Sequence, residues 1–313
     1  MVPQILIDAL IYANLLLVLS IGFTLTYMTA RIPNFSHGTL AAIGVYVTFH
    51  MHRVLNLNPY SAMPVACALV AGILIALYYV VIRTLIRMGA TVISLTVSTI
   101  ALEIILFAAL MIYVEDISSR AGIFSMSFIL RESDFAVMDL PGILIVSILL
   151  SIFLIVGLHL LLTYTKFGIS MRATVENPEL AKIMGINTEF IIAISWLLTG
   201  GLAGLAGSLL PLWLQGTPQI GFLLLISVFA ASILGGIRSI YGAMIGALIV
   251  GMTEVLGTVA LARVFGPAIP AYRLLIPLTI MSVILLIAPT GIIGLIDKYK
   301  SARMAREEEV ADV

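Results

Sequence analysis

Charge is what this sequence has least of. Only 10% of its 313 residues are Asp, Glu, Lys or Arg, 61% are hydrophobic, and the mean hydropathy is +1.18. Soluble domains carry roughly 25% charged residues, so this chain cannot cover a water-facing surface. An excess of basic residues is missing too. Sixteen Lys and Arg balance sixteen Asp and Glu, which removes the electrostatic case for nucleic acid. Cys67 is the single cysteine, set in an apolar run. One thiol builds no disulfide framework within the chain, and nothing beside it implies thiol chemistry. No His, Cys and Asp cluster has metal spacing. His50 and His52 stand two apart, on different faces of a helix, which argues against a chelate. No phosphate loop of the G-x-x-x-x-G-K-[ST] type is present, so ATP has no such cradle here. Neither a nucleophile–base pair nor any cofactor motif stands out, so an embedded enzyme is disfavoured. The first residues lack a basic n-region and a small-residue cleavage site, and 5–28 read as a retained span.

What is present is a series of long apolar runs, the mark of an all-α polytopic membrane protein. A crossing needs about 20 apolar residues. Residues 5–28, 62–82, 91–113, 141–163, 190–212, 241–260 and 273–289 fit or come close. Two runs, 38–49 and 222–234, are short. Each covers only about 20 Å of a roughly 30 Å core. Eight or nine membrane helices are therefore expected, some of them short, broken or re-entrant. With nine crossings and an outer N-terminus, eleven basic residues fall inside: Arg31, Arg83, Arg87, Lys166, Arg172, Lys182, Arg238, Lys298, Lys300, Arg303 and Arg306. Arg53, Arg120, Arg131, Arg263 and Arg273 fall outside. This bias obeys the positive-inside rule and puts the C-terminus in the cytoplasm. The outer loop 114–140 carries Glu115, Asp116, Glu132, Asp134 and Asp139, to receive a soluble partner or simply to be solvated. The tail 297–313, with Glu307-Glu308-Glu309, reads as a frayed cytoplasmic end.

The polar stretch 165–189 organises the rest. Asn177 can cap a helix, Pro178 fits its first position, and Glu179 suits the positive end of its dipole. Gly185 supplies the stop. The resulting helix, Pro178 to Met184, has under two turns, with Leu180, Ile183 and Met184 on one side and Glu179 and Lys182 off it. So short a helix is marginal alone, and its apolar side invites a groove on a partner. The plainer alternative is a solvated loop with a cap. Arg172 can pair with Glu176 if the helix begins early, worth under about 1 kcal/mol when exposed.

Within the spans, ionisable groups are few. Glu103 is deepest and Glu254 next, with Asp8 near the outer end of the first span. A charge at the centre costs about 2.5–3.5 kcal/mol on insertion scales, so a pathway role is the default. Alternatively Glu103 is protonated or bonds Ser98 or Thr99 on a neighbouring turn, and Glu254 snorkels outward. Asn34, Ser36 and His37 precede a helix start at Gly38 and can cap it, its positive end favouring a substrate carboxylate. His37 suits capping or packing better than proton transfer. Gly38-Thr39-Leu40-Ala41-Ala42 and Gly242-Ala243-Met244-Ile245-Gly246 each open a run after a polar breaker, the sign of a weak internal repeat. Chance likeness among small residues is the alternative. Gly200 with Gly204, Ala203 with Gly207, and Ala243, Ala247 and Gly251 are spaced for close helix packing.

Four motifs, in order along nearly the whole chain, resemble the permease subunit of branched-chain amino acid ABC transporters, closer to the shorter of its two paralogous permeases. Gly22-Phe23-Thr24-Leu25-Thr26-Tyr27 with Asn34-Phe35-Ser36-His37-Gly38 is similar to the N-terminal signature. Met171-Arg172-Ala173 through Glu176-Asn177-Pro178-Glu179 to Gly185-Ile186-Asn187 resembles the cytoplasmic loop and is the most specific match. Gly235-Gly236 through Gly242-Ala243 and Gly246 resembles the late Gly-rich segment, and Pro289-Thr290-Gly291 the closing turn. The chain departs at Thr39, where the family often has an acid, and at the bulky Arg238-Ser239-Ile240-Tyr241.

The resemblance implies two ATPase subunits, a second permease (a paralogue or a second copy), an extracytoplasmic binding protein, and a place in the cytoplasmic membrane. It makes 1–313 one permease domain. Arg172, Glu176, Asn177, Pro178, Glu179, Leu180, Ile183, Met184 and Gly185 would couple to the ATPase, and Asn34, Ser36, His37, Gly38, Glu103, Gly235, Gly236 and Glu254 would lie along the pathway. Branched-chain amino acids are the expected cargo, with urea, short amides or a monosaccharide as alternatives. An ion-coupled secondary transporter using Glu103 and Glu254 is the rival class, and it would leave the Asn-Pro-Glu loop unexplained.

Overall fold

Out of water, every backbone N–H and C=O must find a partner inside the protein, and a helix supplies those partners within one segment. The computed structural model describes residues 3–295 and Lys298, and is built accordingly. Its helices are α1 (Gln4–Ala30), α2 (His37–Phe49), α3 (Ala62–Leu77), α4 (Arg83–Arg87), α5 (Val92–Ala121), α6 (Gly142–Tyr164), α7 (Lys166–Glu176), α8 (Pro178–Ile183), α9 (Thr188–Leu209), α10 (Ile220–Gly235), α11 (Ile240–Phe265) and α12 (Leu275–Ile287). Wide π-helical turns prolong α2 through His50–Val54 and join α3 to α4 through Tyr78–Ile82. Seven helical stretches among the described residues are long and apolar enough to cross a membrane. The remaining features expected of the tail, Lys300, Arg303, Arg306 and the Glu307-Glu308-Glu309 run, lie outside the described residues.

Helices α1 and α9 form the centre. Almost every residue of α1 from Ile11 to Thr26 is buried, and Trp196 of α9 is fully buried. α1 packs along α11 and α9 along α3, while α1 and α9 cross each other. α2 leans on α9, α10 leans on α1, and α2 meets α10. Exchanging α1-α2-α3 with α9-α10-α11 reproduces this set of neighbours, so the fold contains an internal repeat. Its counterpart to α2 is α10, rather than the run from Gly242 that the sequence suggests. Small residues permit the close crossings. A Cβ on Gly204 would sit 2.3 Å from the Ala66 carbonyl, and one on Gly207 2.1 Å from that of Ala41. By contrast, α5, α6 and α12 keep most of their surface uncovered in the single chain.

The chain's two ends are fastened differently. At one end, Arg83 and Arg87 both reach Glu189, at 2.8 and 2.9 Å, and Arg31 donates to the Val175 carbonyl at 2.9 Å. The other end holds the loop between α5 and α6. It is shorter than the expected 114–140, because α5 continues two turns past the apolar run, to Ala121. A two-residue hairpin pairs Ala136 with Pro141 and Val137 with Leu140. Tyr60 donates to Asp134, Ser133 bonds His52 at 2.8 Å, and Phe128 exchanges backbone hydrogen bonds with Gly216 at 3.1 and 2.7 Å.

Candidate functional site

Both short helices begin in the middle of the protein. After α1 ends, residues 31–36 turn back, and the His37 ring bonds the Leu19 carbonyl, 2.9 Å away and eleven residues before the end of α1. α2 then runs toward the end that carries the hairpin. α10 starts beside it and runs the other way, toward Arg238. Their first turns touch through glycine: a Cβ on Gly38 would lie 2.2 Å from the Gly221 carbonyl oxygen. Two positive dipole ends therefore converge at mid-depth, where unpaired N–H groups favour an anionic group.

The side chains around this junction differ from the expected caps. α2 begins at His37, one residue earlier than expected, and no side chain caps it. Asn34 Oδ1 instead accepts from the backbone N–H and hydroxyl of Ser36, at 3.2 and 2.7 Å, forming the turn that precedes the helix. Glu103 bonds neither Ser98 nor Thr99. Its Oε1 accepts from the Thr39 hydroxyl at 2.6 Å, and Thr99, one turn earlier on α5, holds the Pro33 carbonyl at 3.0 Å. Three buried polar atoms at this junction have no partner among the described residues: Glu103 Oε2, Asn34 Nδ2 and His37 Nδ1.

Glu254 does not snorkel. It is only 1% exposed and fully engaged. Tyr12 donates to both of its oxygens at 3.1 and 3.0 Å, Ser227 donates at 2.8 Å, and Arg273 Nε at 2.6 Å. The Arg273 guanidinium lies 4.3 Å from the centre of the Tyr12 ring, which stacks on Trp213. Trp213 Nε1 continues to Asp8 at 3.0 Å, and Arg131 reaches Asp8 at 3.5 Å. This network ties α1, α10, α11 and α12 to the hairpin loop. Sequence reading treated Arg273 as an outer-loop charge; nineteen residues separate it from Glu254, too far for any local spacing rule. Tyr12, Ser227 and Gly221 escaped for the same reason. One signal was available: Gly221 opens a short run just as Gly38 does.

At the opposite end, the stretch 165–189 holds two helices rather than one. α7 contains both Arg172 and Glu176, yet they form no ion pair; among the described residues they instead line a cleft of about 260 Å³ together with Arg238 and Tyr241. α8 is built as its sequence dictates. Asn177 Oδ1 accepts from the N–H groups of Glu179 and Leu180 at 3.1 and 3.0 Å, with Pro178 in the first turn. Gly185 ends the turn at φ +82°, a conformation that penalises any Cβ. Only Ala181 is buried, whereas Leu180, Ile183 and Met184 are 55, 81 and 74% exposed. Glu179 and Lys182 are exposed beside them.

Gly235 and Gly236 lie at the far end of α10. Gly235 meets the Gly242 carbonyl backbone-to-backbone, and Gly236, at φ +108°, faces Thr290 and Gly291. The late Gly-rich segment and the Pro289-Thr290-Gly291 turn thus pack on each other.

Comparison with known proteins bears on the chain as a whole. Residues 5–285 match the family model described as "Branched-chain amino acid transport system / permease component". The chain is 44% identical over 302 residues to the probable branched-chain amino acid transport permease protein LivH of Methanocaldococcus jannaschii, covering 96% of this chain and 95% of that one. It is 30% identical over 301 residues to the high-affinity branched-chain amino acid transport system permease protein BraD of Pseudomonas aeruginosa, covering 93% and 95%. A solved structure, PsaBC from Streptococcus pneumoniae in complex with Fab, superposes with a TM-score of 0.49 at 17% identity, covering 92% of this chain and 94% of that one.

Proposed function

Because the chain belongs to the family of branched-chain amino acid transport permease components, we propose that it lines the membrane pathway of an importer for branched-chain amino acids, driven by ATPases on separate chains. It is a multi-pass membrane protein and a transport subunit rather than an enzyme. The full assembly in this reading has two ATPases, a second permease, identical or paralogous, and an extracytoplasmic binding protein. The end carrying α7 and α8 faces the cytoplasm.

The meeting of two short helices, α2 and α10, at mid-depth is the observation that carries the reading. Such an arrangement leaves helix ends, instead of closed backbone, where a polar cargo must pass. Support at the cytoplasmic end comes from α8, whose capped and glycine-terminated turn leaves three apolar side chains exposed among the described residues. In this reading α8 seats in a groove of the ATPase and passes nucleotide-driven motion to α9. An ion-coupled transporter built on the pair Glu103 and Glu254 loses one of the two, because Glu254 is already fully engaged by Arg273, Tyr12 and Ser227.

The test is co-purification with the ATPases, then ATP-dependent uptake of labelled leucine, isoleucine, valine and urea. Uptake of the three amino acids, stimulated by ATP and by the binding protein, is expected. Uptake of urea alone would reassign the cargo, and absence of the ATPases from the purified complex would refute the importer.

A further inference from the structure

Glu103 contributes only half of its carboxylate to the protein. Oε1 is bound by Thr39, while Oε2 has no partner among the described residues, on a side chain only 4% exposed beside the N-terminus of α2. A buried carboxylate oxygen left unpaired is costly, and its persistence calls for an occupant. The face that continues from this pair is hollow. Leu106 and Leu110 follow Glu103 by three and seven residues on α5, and Ile43 and Tyr46 follow Thr39 by four and seven on α2, so each set shares one helical face. Between these faces and α3 lies an apolar cavity of about 450 Å³, with the Tyr113–His50 hydrogen bond of 2.8 Å in its wall on the hairpin side.

We propose that this groove between α2 and α5 is a transit site for a hydrophobic α-amino acid. Glu103 Oε2 receives the ammonium, and the cavity lined by Ile43, Leu106 and Leu110 receives the side chain. The carboxylate of the cargo faces the converging helix N-termini at Gly38 and Gly221 and the free amide of Asn34. Charge and shape select together: a cation-accepting oxygen stands one turn of α5 away from a greasy pocket, and a positive backbone dipole stands beside that oxygen. An acyl chain of lipid would satisfy the pocket but leave the oxygen unpaired. The site rests on the importer reading.

The experiment uses the complete complex with its binding protein in proteoliposomes, measuring initial uptake of labelled leucine and valine together with ATP consumed. Glu103→Gln removes the charge and is expected to lower leucine imported per ATP at least tenfold, the scale of a charge-assisted hydrogen bond. Thr39→Glu combined with Glu103→Gln returns a carboxylate to the same junction and should restore at least a third of that ratio. Ile43→Phe narrows the cavity and should lower the leucine-to-valine uptake ratio at least threefold, a change that a purely structural role would not produce. Unaltered import per ATP in Glu103→Gln overturns the site. So does equal slowing of both amino acids in Ile43→Phe. If the unaltered complex imports neither amino acid, the importer reading itself falls; if it imports them and the variants behave like it, only the transit site falls.

Discussion

Arg273 and Glu254 are bound to each other at 2.6 Å across the interior, with Glu254 1% exposed and Arg273 reaching in from the turn just before α12. Removing one partner strands the other in a poorly solvated place, at a cost of about 3–5 kcal/mol. Arg273→Leu is therefore expected to lower the thermal midpoint of the purified protein markedly. The double variant Glu254→Gln/Arg273→Leu should be less destabilised than the sum of the two single changes, because it leaves no orphaned charge. Additive losses would show that the pair does not act as a unit. Both glutamates were visible in the sequence, since a carboxylate amid apolar residues stands out unaided. Their partners were not. Thr39 lies 64 positions from Glu103 and Tyr12 lies 242 from Glu254, distances that only folding closes.

At the scale of elements, the two short helices α2 and α10 depend on glycine at their contact. Gly221→Leu puts a side chain into the backbone of Gly38, where even a Cβ would lie 2.6 Å from the Gly38 carbonyl carbon. Overpacking of this kind typically costs about 1–3 kcal/mol, and a lowered thermal midpoint together with lost uptake is expected. The same substitution at Gly72, where an added Cβ meets nothing within 4 Å, should leave the midpoint within error. α8 makes a separate prediction. Leu180→Asp spoils an exposed apolar face without touching the core, and Gly185→Val forces a β-branched residue into φ +82°. Each variant is expected to reach the membrane in normal amount and to lose coupling, measured as ATP consumed per amino acid imported. Unchanged coupling in both would remove α8 from the ATPase interface. The cap, the proline and the stop of α8 were all legible, because local hydrogen bonds and backbone dihedral preferences set them. α7 was missed because its residues are mixed in polarity and its start, Thr165 accepting from Gly168 N–H at 3.1 Å, carries no distinctive pattern.

For the molecule as a whole, orientation is the sharpest question, and the lone cysteine makes it accessible. With Cys67→Ala as background, a cysteine at Asp139 should react with a membrane-impermeant maleimide on intact cells, and one at Glu179 only after lysis; both positions are exposed. The reverse pattern would invert the protein and take α8 away from any cytoplasmic ATPase. By itself, the sequence determined the solvent, the class of fold and the place of the short capped helix α8. Those follow from charge scarcity, run length and local capping, which act between near neighbours. Only the tertiary structure decided that α2 repeats in α10, that Glu254 is sealed by Arg273, and that Glu103 keeps one oxygen free. Each of these depends on which helices pack together, and packing among uniformly apolar helices is chosen by small residues and shape across the fold, with no periodic trace along the chain.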